Sequence, residues 1–256
     1  MNLERLSLNQ ITINRWSLGE AVEGCARHGL RWIGLWRDKV AEHGLEASAR
    51  RVRDAGLQVS SLCRAGFFSD PGSADDNLRA VEEAAALGAP VLVLVCGPAS
   101  DRDLDAARAR VCEGINELLP YAQRAGVRLG VEPLHPMFAA DRSVVVTLAE
   151  ALALPADVVV DVYHVWWDPD VRAQIRRAGQ RICGLHVSDW LVPPPDHLLG
   201  RGLMGDGVIP IRELSQEVEA AGYGGPVEVE IFNRALWDLP GDQALELIKT
   251  RFVDRV

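Results

Sequence analysis

Val158-Val159-Val160-Asp161-Val162-Tyr163-His164 is the stretch on which the reading of this chain turns. A short β-branched run ends in a carboxylate and, three residues on, an imidazole, both metal-ligand types of side chain. The same pattern recurs upstream in Gly130-Val131-Glu132-Pro133-Leu134-His135. Downstream, Leu185-His186-Val187-Ser188-Asp189 and Val229-Glu230-Ile231-Phe232 likewise place a metal-ligand type of residue at the end of an apolar run. In each, period-two alternation puts the acidic or imidazole residue on one face and Val, Leu or Ile on the other. Four strands in succession therefore present Glu132, Asp161, His186 and Glu230 at one end.

Working outward, strand-like runs cover 6–13, 30–36, 57–63, 90–96, 127–134, 158–165, 182–187 and 227–232. Between them, apolar residues recur at spacings of three and four, as in 18–28, 45–55, 75–87 and 104–125. Gly29, Gly56, Gly88, Gly126 and Gly222 stand where helices should end before the next strand. Eight strand–helix units in 256 residues are the pattern of one α/β domain over 1–256, a single (β/α)8 barrel with parallel strands. An open doubly wound sheet is the alternative, but no Gly-rich phosphate turn follows the first strand. In a barrel, chemistry belongs at the C-terminal strand ends.

Composition narrows the function classes. Residues are 48% apolar and 25% charged, which excludes disordered and collagen-like chains. No apolar run is long enough for a membrane helix. Met1-Asn2-Leu3-Glu4-Arg5 has neither the basic start nor the apolar stretch of a signal peptide. Cys25, Cys63, Cys96, Cys112 and Cys183 show no ligand or redox spacing, so reduced thiols and a cytoplasmic location are expected. A net charge of −9 argues against a nucleic-acid partner. Of 27 basic residues only Lys39 and Lys249 are lysines, and neither suits a Schiff base buried in a barrel.

One carboxylate at a strand end is ordinarily a solvated loop residue, and His186 alone would read as a core histidine. Four such residues in register are different. Three carboxylates sharing a small space repel unless a cation sits among them. Three oxygen donors and one imidazole favour one divalent ion, Mn²⁺ or Mg²⁺, over a thiolate-loving metal.

Together Glu132-Pro133, Asp161-x-x-His164, His186-x-x-Asp189, Gly205-Asp206-Gly207 and Glu230 resemble the motifs of the xylose-isomerase-like barrel superfamily along nearly the whole chain. That superfamily includes sugar isomerases and epimerases, inosose and dehydroshikimate dehydratases, and endonuclease IV. The resemblance implies that Glu132, Asp161, His186 and Glu230 hold one metal and that the two glutamates move protons. It also implies that His164 and Arg201 touch substrate oxygens, and that a homo-oligomer is common.

Other residues join as candidates. His135 follows Glu132 in a Pro-bounded loop and is read as a substrate contact. Trp166 and its neighbours Trp16, Trp36, Trp167, Trp190 and Trp237 fall near strand ends, where indoles stack on sugar faces or merely close the barrel top. The loop 190–209 is long enough for a lid carrying His197, Arg201 and Asp206. Asp189 is expected to support the site by hydrogen bonding. Cys63-Arg64 ends the third strand and reads mainly as packing. Glu228 shares parity with Glu230 one layer deeper, with Arg128 as a candidate partner.

A metal that chelates a ketone and its neighbouring hydroxyl stabilises the enediolate left when a carbon-bound proton departs. Proton return to the opposite face is epimerisation, and return to the next carbon is isomerisation. The expected function is thus a metal-dependent isomerase or epimerase of a small keto sugar or polyol. A leaving group beta to the carbanion would instead make a lyase of keto-cyclitols, dehydroshikimate or 3-keto-glycosides. An endonuclease is disfavoured, because strands two to four end in Leu35-Trp36, Cys63-Arg64 and Cys96-Gly97 rather than in extra histidines.

Overall fold

Eight short strands have apolar faces that must be covered on both sides, inside by one another and outside by helices. In the computed structural model, which describes residues 1–70, 72–99 and 103–256, they do so by closing on themselves. The strands are β1 (Leu6–Asn9), β2 (Trp32–Trp36), β3 (Gln58–Gly66), β4 (Val91–Val95), β5 (Arg128–Val131), β6 (Asp157–Asp161), β7 (Ile182–Val187) and β8 (Val227–Val229). Each pairs in parallel with its sequence neighbours, and β8 returns to β1 through Ser7 opposite Glu228. This is the (β/α)8 barrel that the alternating pattern predicts.

Outward residues such as Leu6, Leu8, Leu92, Leu94 and Val160 pack against helix residues including Val22, Ile115, Ile175, Val218 and Ile248. Inside, Cys63, Val91, Val93, Val159 and Cys183 form a smaller cluster beneath the mouth. Helices start and stop where local chemistry directs. Ser17 accepts the Glu20 N–H while the Glu20 carboxylate accepts the Ser17 N–H, opening Leu18–Arg27 with a capping box. Gly88 and Gly126 close Ser73–Leu87 and Leu104–Ala125 at φ of 69° and 70°, a conformation that costs glycine little.

Several strands stop earlier than the apolar runs suggest, and side-chain caps are the reason. Asn9 Oδ1 accepts the Ile11 N–H at 3.2 Å and turns the chain into the 3₁₀ segment Gln10–Ile13. Asp161 Oδ1 accepts the Tyr163 N–H at 2.9 Å, so residues expected in the sixth strand form the short helix Val162–Val165. Both caps sit at the barrel mouth.

Beyond β7 the chain crosses the mouth as a tied strap. Asp189–Trp190 pairs antiparallel with Arg201–Gly202. The Asp189 carboxylate accepts the N–H groups of Gly205, Gly207 and Ile209 at 2.9, 2.9 and 3.0 Å. Among the described residues, no helix is long and apolar enough to cross a membrane.

Candidate functional site

Strand register carries four donors to one spot. Asp161 ends β6 opposite His186 of β7, and Glu132 and Glu230 lie just past β5 and β8. Their ligand atoms all fall within 4.8 Å of one another, and all four side chains are buried. His186 Nδ1 is 3.0 Å from Glu132 Oε1 and 3.7 Å from Glu230 Oε2. Yet Glu132 Oε1 and both His186 ring nitrogens lack an aligned hydrogen-bond partner among the described residues. Buried polar atoms left so are costly unless something else satisfies them. Two donors at about 2.1 Å from a shared ion and at right angles to each other stand about 3.0 Å apart, so the donor set fits a divalent cation.

Electrostatics agrees. Burial pushes the Asp161 carboxyl up to about 7, with Arg201 opposing and the charges of Glu132 and Glu230 adding. Burial also raises Glu132, against the pull of His186. For Glu230 burial works the same way, but His186 and Arg201 outweigh it and hold the carboxyl low. Burial disfavours charge on His186, yet Glu228, Glu132 and Glu230 together push it well above the ordinary imidazole range. Burial and the neighbouring carboxylates together make negative charge on Glu132 and Asp161 costly.

Arg201 is brought under the strap, not left at the surface. Its Nη1 lies 3.0 Å from Asp161 Oδ2 and 3.1 Å from Glu230 Oε2, and its Nη2 3.0 Å from His164 Nε2. The guanidinium also lies against the rings of Tyr163 and Phe232. His164 is buried beside it; burial and then the Arg201 charge keep its ring well below the usual imidazole range, hence neutral. Its Nδ1 accepts the His135 backbone N–H at 3.1 Å.

One layer deeper, Glu228 is satisfied differently from the expectation. Its partner is Asn9, whose Nδ2 donates to Glu228 Oε2 at 3.0 Å and to Glu230 Oε1 at 3.3 Å. Glu228 Oε2 also lies 3.6 Å from His186 Nε2, beneath the ring. Gly34 makes room: a Cβ there would lie 2.2 Å from Glu228 Oε2. Arg128, the partner expected from parity, instead binds Asp157 at 2.7 Å and the Gln180 carbonyl. Alternation gives the face on which a side chain lies and not its depth, and Arg128 begins its strand at the opposite end of the barrel.

Beside the donors lies a cavity of about 40 Å³ lined in part by Trp36, Arg64, Phe138, Arg142, His164, Arg201 and Phe232. It adjoins a wider one of about 580 Å³ bounded by the ends of β2 and β3, and the two share Trp36, Cys63 and Arg64. Not every expected residue faces this space. His135 packs against Trp167 and Trp190, and its Nδ1 accepts the Met137 N–H. Trp166 leans on Trp190, and among the described residues its indole N–H has no hydrogen-bond partner. His197 packs edge-on against Phe138. Asp206 points outward to Arg251 at 2.7 Å, and Trp16 lies against Arg27. Asp189 acts through the strap and touches none of the four donors. Sequence reasoning missed Asn9, Phe138, Arg142 and Phe232. For Asn9 a signal existed, because Leu6-Ser7-Leu8-Asn9 alternates and sends two polar side chains inward.

The fold and site can now be set beside known proteins. Protein SMc04130 from Sinorhizobium meliloti 1021 is 47% identical, with a TM-score of 0.95 over 99% of each chain. The IolI protein with a binding zinc atom superposes with a TM-score of 0.85 at 20% identity, over 98% of this chain and 97% of that one. D-psicose 3-epimerase from Clostridium cellulolyticum H10, solved with D-tagatose, does so with 0.78 at 15% identity over the same shares. The latter two likenesses speak to fold alone. No curated protein matches the chain. Residues 22–251 match the model of the xylose isomerase-like TIM barrel. This chain therefore belongs to the xylose isomerase-like TIM-barrel family.

Proposed function

We propose that the protein is a divalent-metal-dependent isomerase or epimerase of a small keto sugar or polyol, working through an enediolate with Glu132 and Glu230 as its proton-handling groups. One observation carries this reading: the four buried donors from consecutive strands lie within 4.8 Å, with Glu132 and Glu230 both against His186 Nδ1. Glu132, Asp161, His186 and Glu230 would hold the ion, Mn²⁺ or Mg²⁺ by their oxygen-rich character. When bound, it draws electron density from a carbonyl and an adjacent hydroxyl and so acidifies the carbon-bound proton between them. The zinc seen in IolI and the ketohexose epimerase of the same fold support the reading.

The chain's own residues supply the rest. Glu132 and Glu230 reach the site from β5 and β8, the two flanks of the donor set, so a substrate between them offers a different face to each. One carboxylate takes the proton and the other returns it. Arg201, already against Asp161 and Glu230, is placed to meet negative charge growing on a substrate oxygen. His164, held neutral and tied to the His135 backbone and to Arg201, lines the cavity and positions the guanidinium. Trp36 and Phe232, edge to face at 5.7 Å, give the cavity an aromatic wall.

A second reading, elimination from a keto-cyclitol, dehydroshikimate or 3-keto-glycoside, is favoured by the adjoining cavity of about 580 Å³, which has room for a leaving group. Incubating the Mn²⁺-loaded protein with ketoses and keto-glycosides in D₂O tests both. Proton exchange places deuterium on the carbon beside the carbonyl. Elimination yields a conjugated enone or a free aglycone. Turnover with neither, together with full activity of Glu132→Gln and Glu230→Gln variants, would mean hydride transfer between carbons and would remove both glutamates from the chemistry.

A further inference from the structure

We infer that the substrate carries an anionic group, a carboxylate or a phosphate, that docks between Arg64 and Arg142 on the side of the mouth away from the metal donors. The inference deepens the function proposed above and rests on the same site. Four arginines border the two adjoining cavities, and two of them are already spoken for. Arg37 is held by Asp76 at 2.7 Å and Glu83 at 2.6 Å. Arg201 is held by Asp161 and Glu230.

Arg64 and Arg142 are not. Among the described residues the Arg64 guanidinium has no hydrogen bond or ion pair; it lies over the Phe67 ring at 4.4 Å, with the charges of Arg142, Glu132 and Asp38 acting on it from farther off. Among the described residues Arg142 approaches a carboxylate only at 3.7 Å, that of the exposed Asp141, and its buried Nε has no hydrogen-bond partner. A guanidinium taken partly out of water without a counter-ion is a costly arrangement, and two lining one cavity repel each other. Burial, followed by the nearby Arg142 charge, accordingly disfavours the charged form of Arg64. A carboxylate or phosphate accepting from both forks removes the repulsion and satisfies the free Nε.

Position fixes the geometry of the substrate. Arg64 ends β3 and Arg142 follows the Pro136–Phe138 turn, whereas the donors occupy β5 to β8. A ketose chelated at the donors therefore runs its charged end toward β3, across the Phe138 ring that Arg142 faces.

Calorimetric binding of D-fructose, D-fructose 6-phosphate and 2-keto-D-gluconate to the full chain, with and without Mn²⁺, tests this, the affinity for Mn²⁺ being measured first. At least one charged probe should bind roughly tenfold to a hundredfold more tightly than fructose. The better of the two tells whether the anion is a phosphate or a carboxylate. Arg64→Gln and Arg142→Gln should each cost about tenfold of that advantage while leaving fructose and Mn²⁺ affinities within about twofold, and Arg142→Lys should restore part of it. Charged and neutral probes binding alike, or none detectably, would overturn the inference, as would a charge preference that survives both substitutions. If Mn²⁺ fails to bind the wild type, the metal-dependent function falls, and the charge preference of the metal-free chain still decides the anion site.

Discussion

Glu132→Gln and Glu230→Gln each keep an oxygen in the donor set but remove a base. Turnover should fall by about 10²- to 10⁴-fold in either variant while metal content, read by elemental analysis, stays near one per chain. A Glu230→Gln enzyme at full speed with metal in place would take that residue out of the mechanism. Arg201→Ala separates the two kinds of role at this site. Because Arg201 Nη1 shares Asp161 and Glu230 with the candidate metal, its loss leaves the donors more negative. Mn²⁺ affinity should therefore hold or rise, while kcat/KM falls by roughly tenfold or more. Weaker Mn²⁺ binding would show that Arg201 organises the donors and does not meet the substrate.

Among elements, the strap after β7 is the one whose behaviour follows most directly from a single side chain. Asp189→Ala removes the acceptor of four N–H groups, those of Trp190, Gly205, Gly207 and Ile209. At roughly 1 kcal/mol or more for each lost acceptor, a drop of several °C in Tm and faster proteolysis between β7 and β8 are expected. An unchanged cleavage rate would mean that the strap does not depend on Asp189. The strands themselves were legible beforehand because period two is a local signal. It placed Asp161 and His186 in register and put Glu132 and Glu230 at the same level. Depth along the barrel is not local, so alternation offers Arg128 as a candidate partner of Glu228, whereas Asn9, far away in sequence, fills that place. Strand ends were overestimated for a related reason. Asn9 and Asp161 stop their strands through side-chain bonds to backbone two residues on, a matter of conformation that an apolar run such as 158–165 does not reveal. Arg142 was invisible because only the turn at Pro136–Phe138 folds it back over the mouth.

For the molecule as a whole, the donor cluster links stability to metal. A cation bound by the folded barrel and not by the unfolded chain contributes about 2.7 kcal/mol at a hundred times its Kd. For a chain of this size that is roughly 5–10 °C in Tm, so adding Mn²⁺ to chelator-treated protein should raise the melting temperature by about that much. No shift at any concentration would argue against a site formed by folding. The tied strap has another consequence, for traffic. The β7–β8 side of the mouth is bridged by its own ladder and by the Asp189 bonds, whereas the wide cavity at the ends of β2 and β3 adjoins the donors' cavity on the other side. Under the function proposed above, product would leave by the path its substrate used, past Trp36 and Arg64. Anything lodged there would stop the queue in both directions, and a reaction run near equilibrium would be throttled at its own threshold by whichever of its two sugars is present in excess.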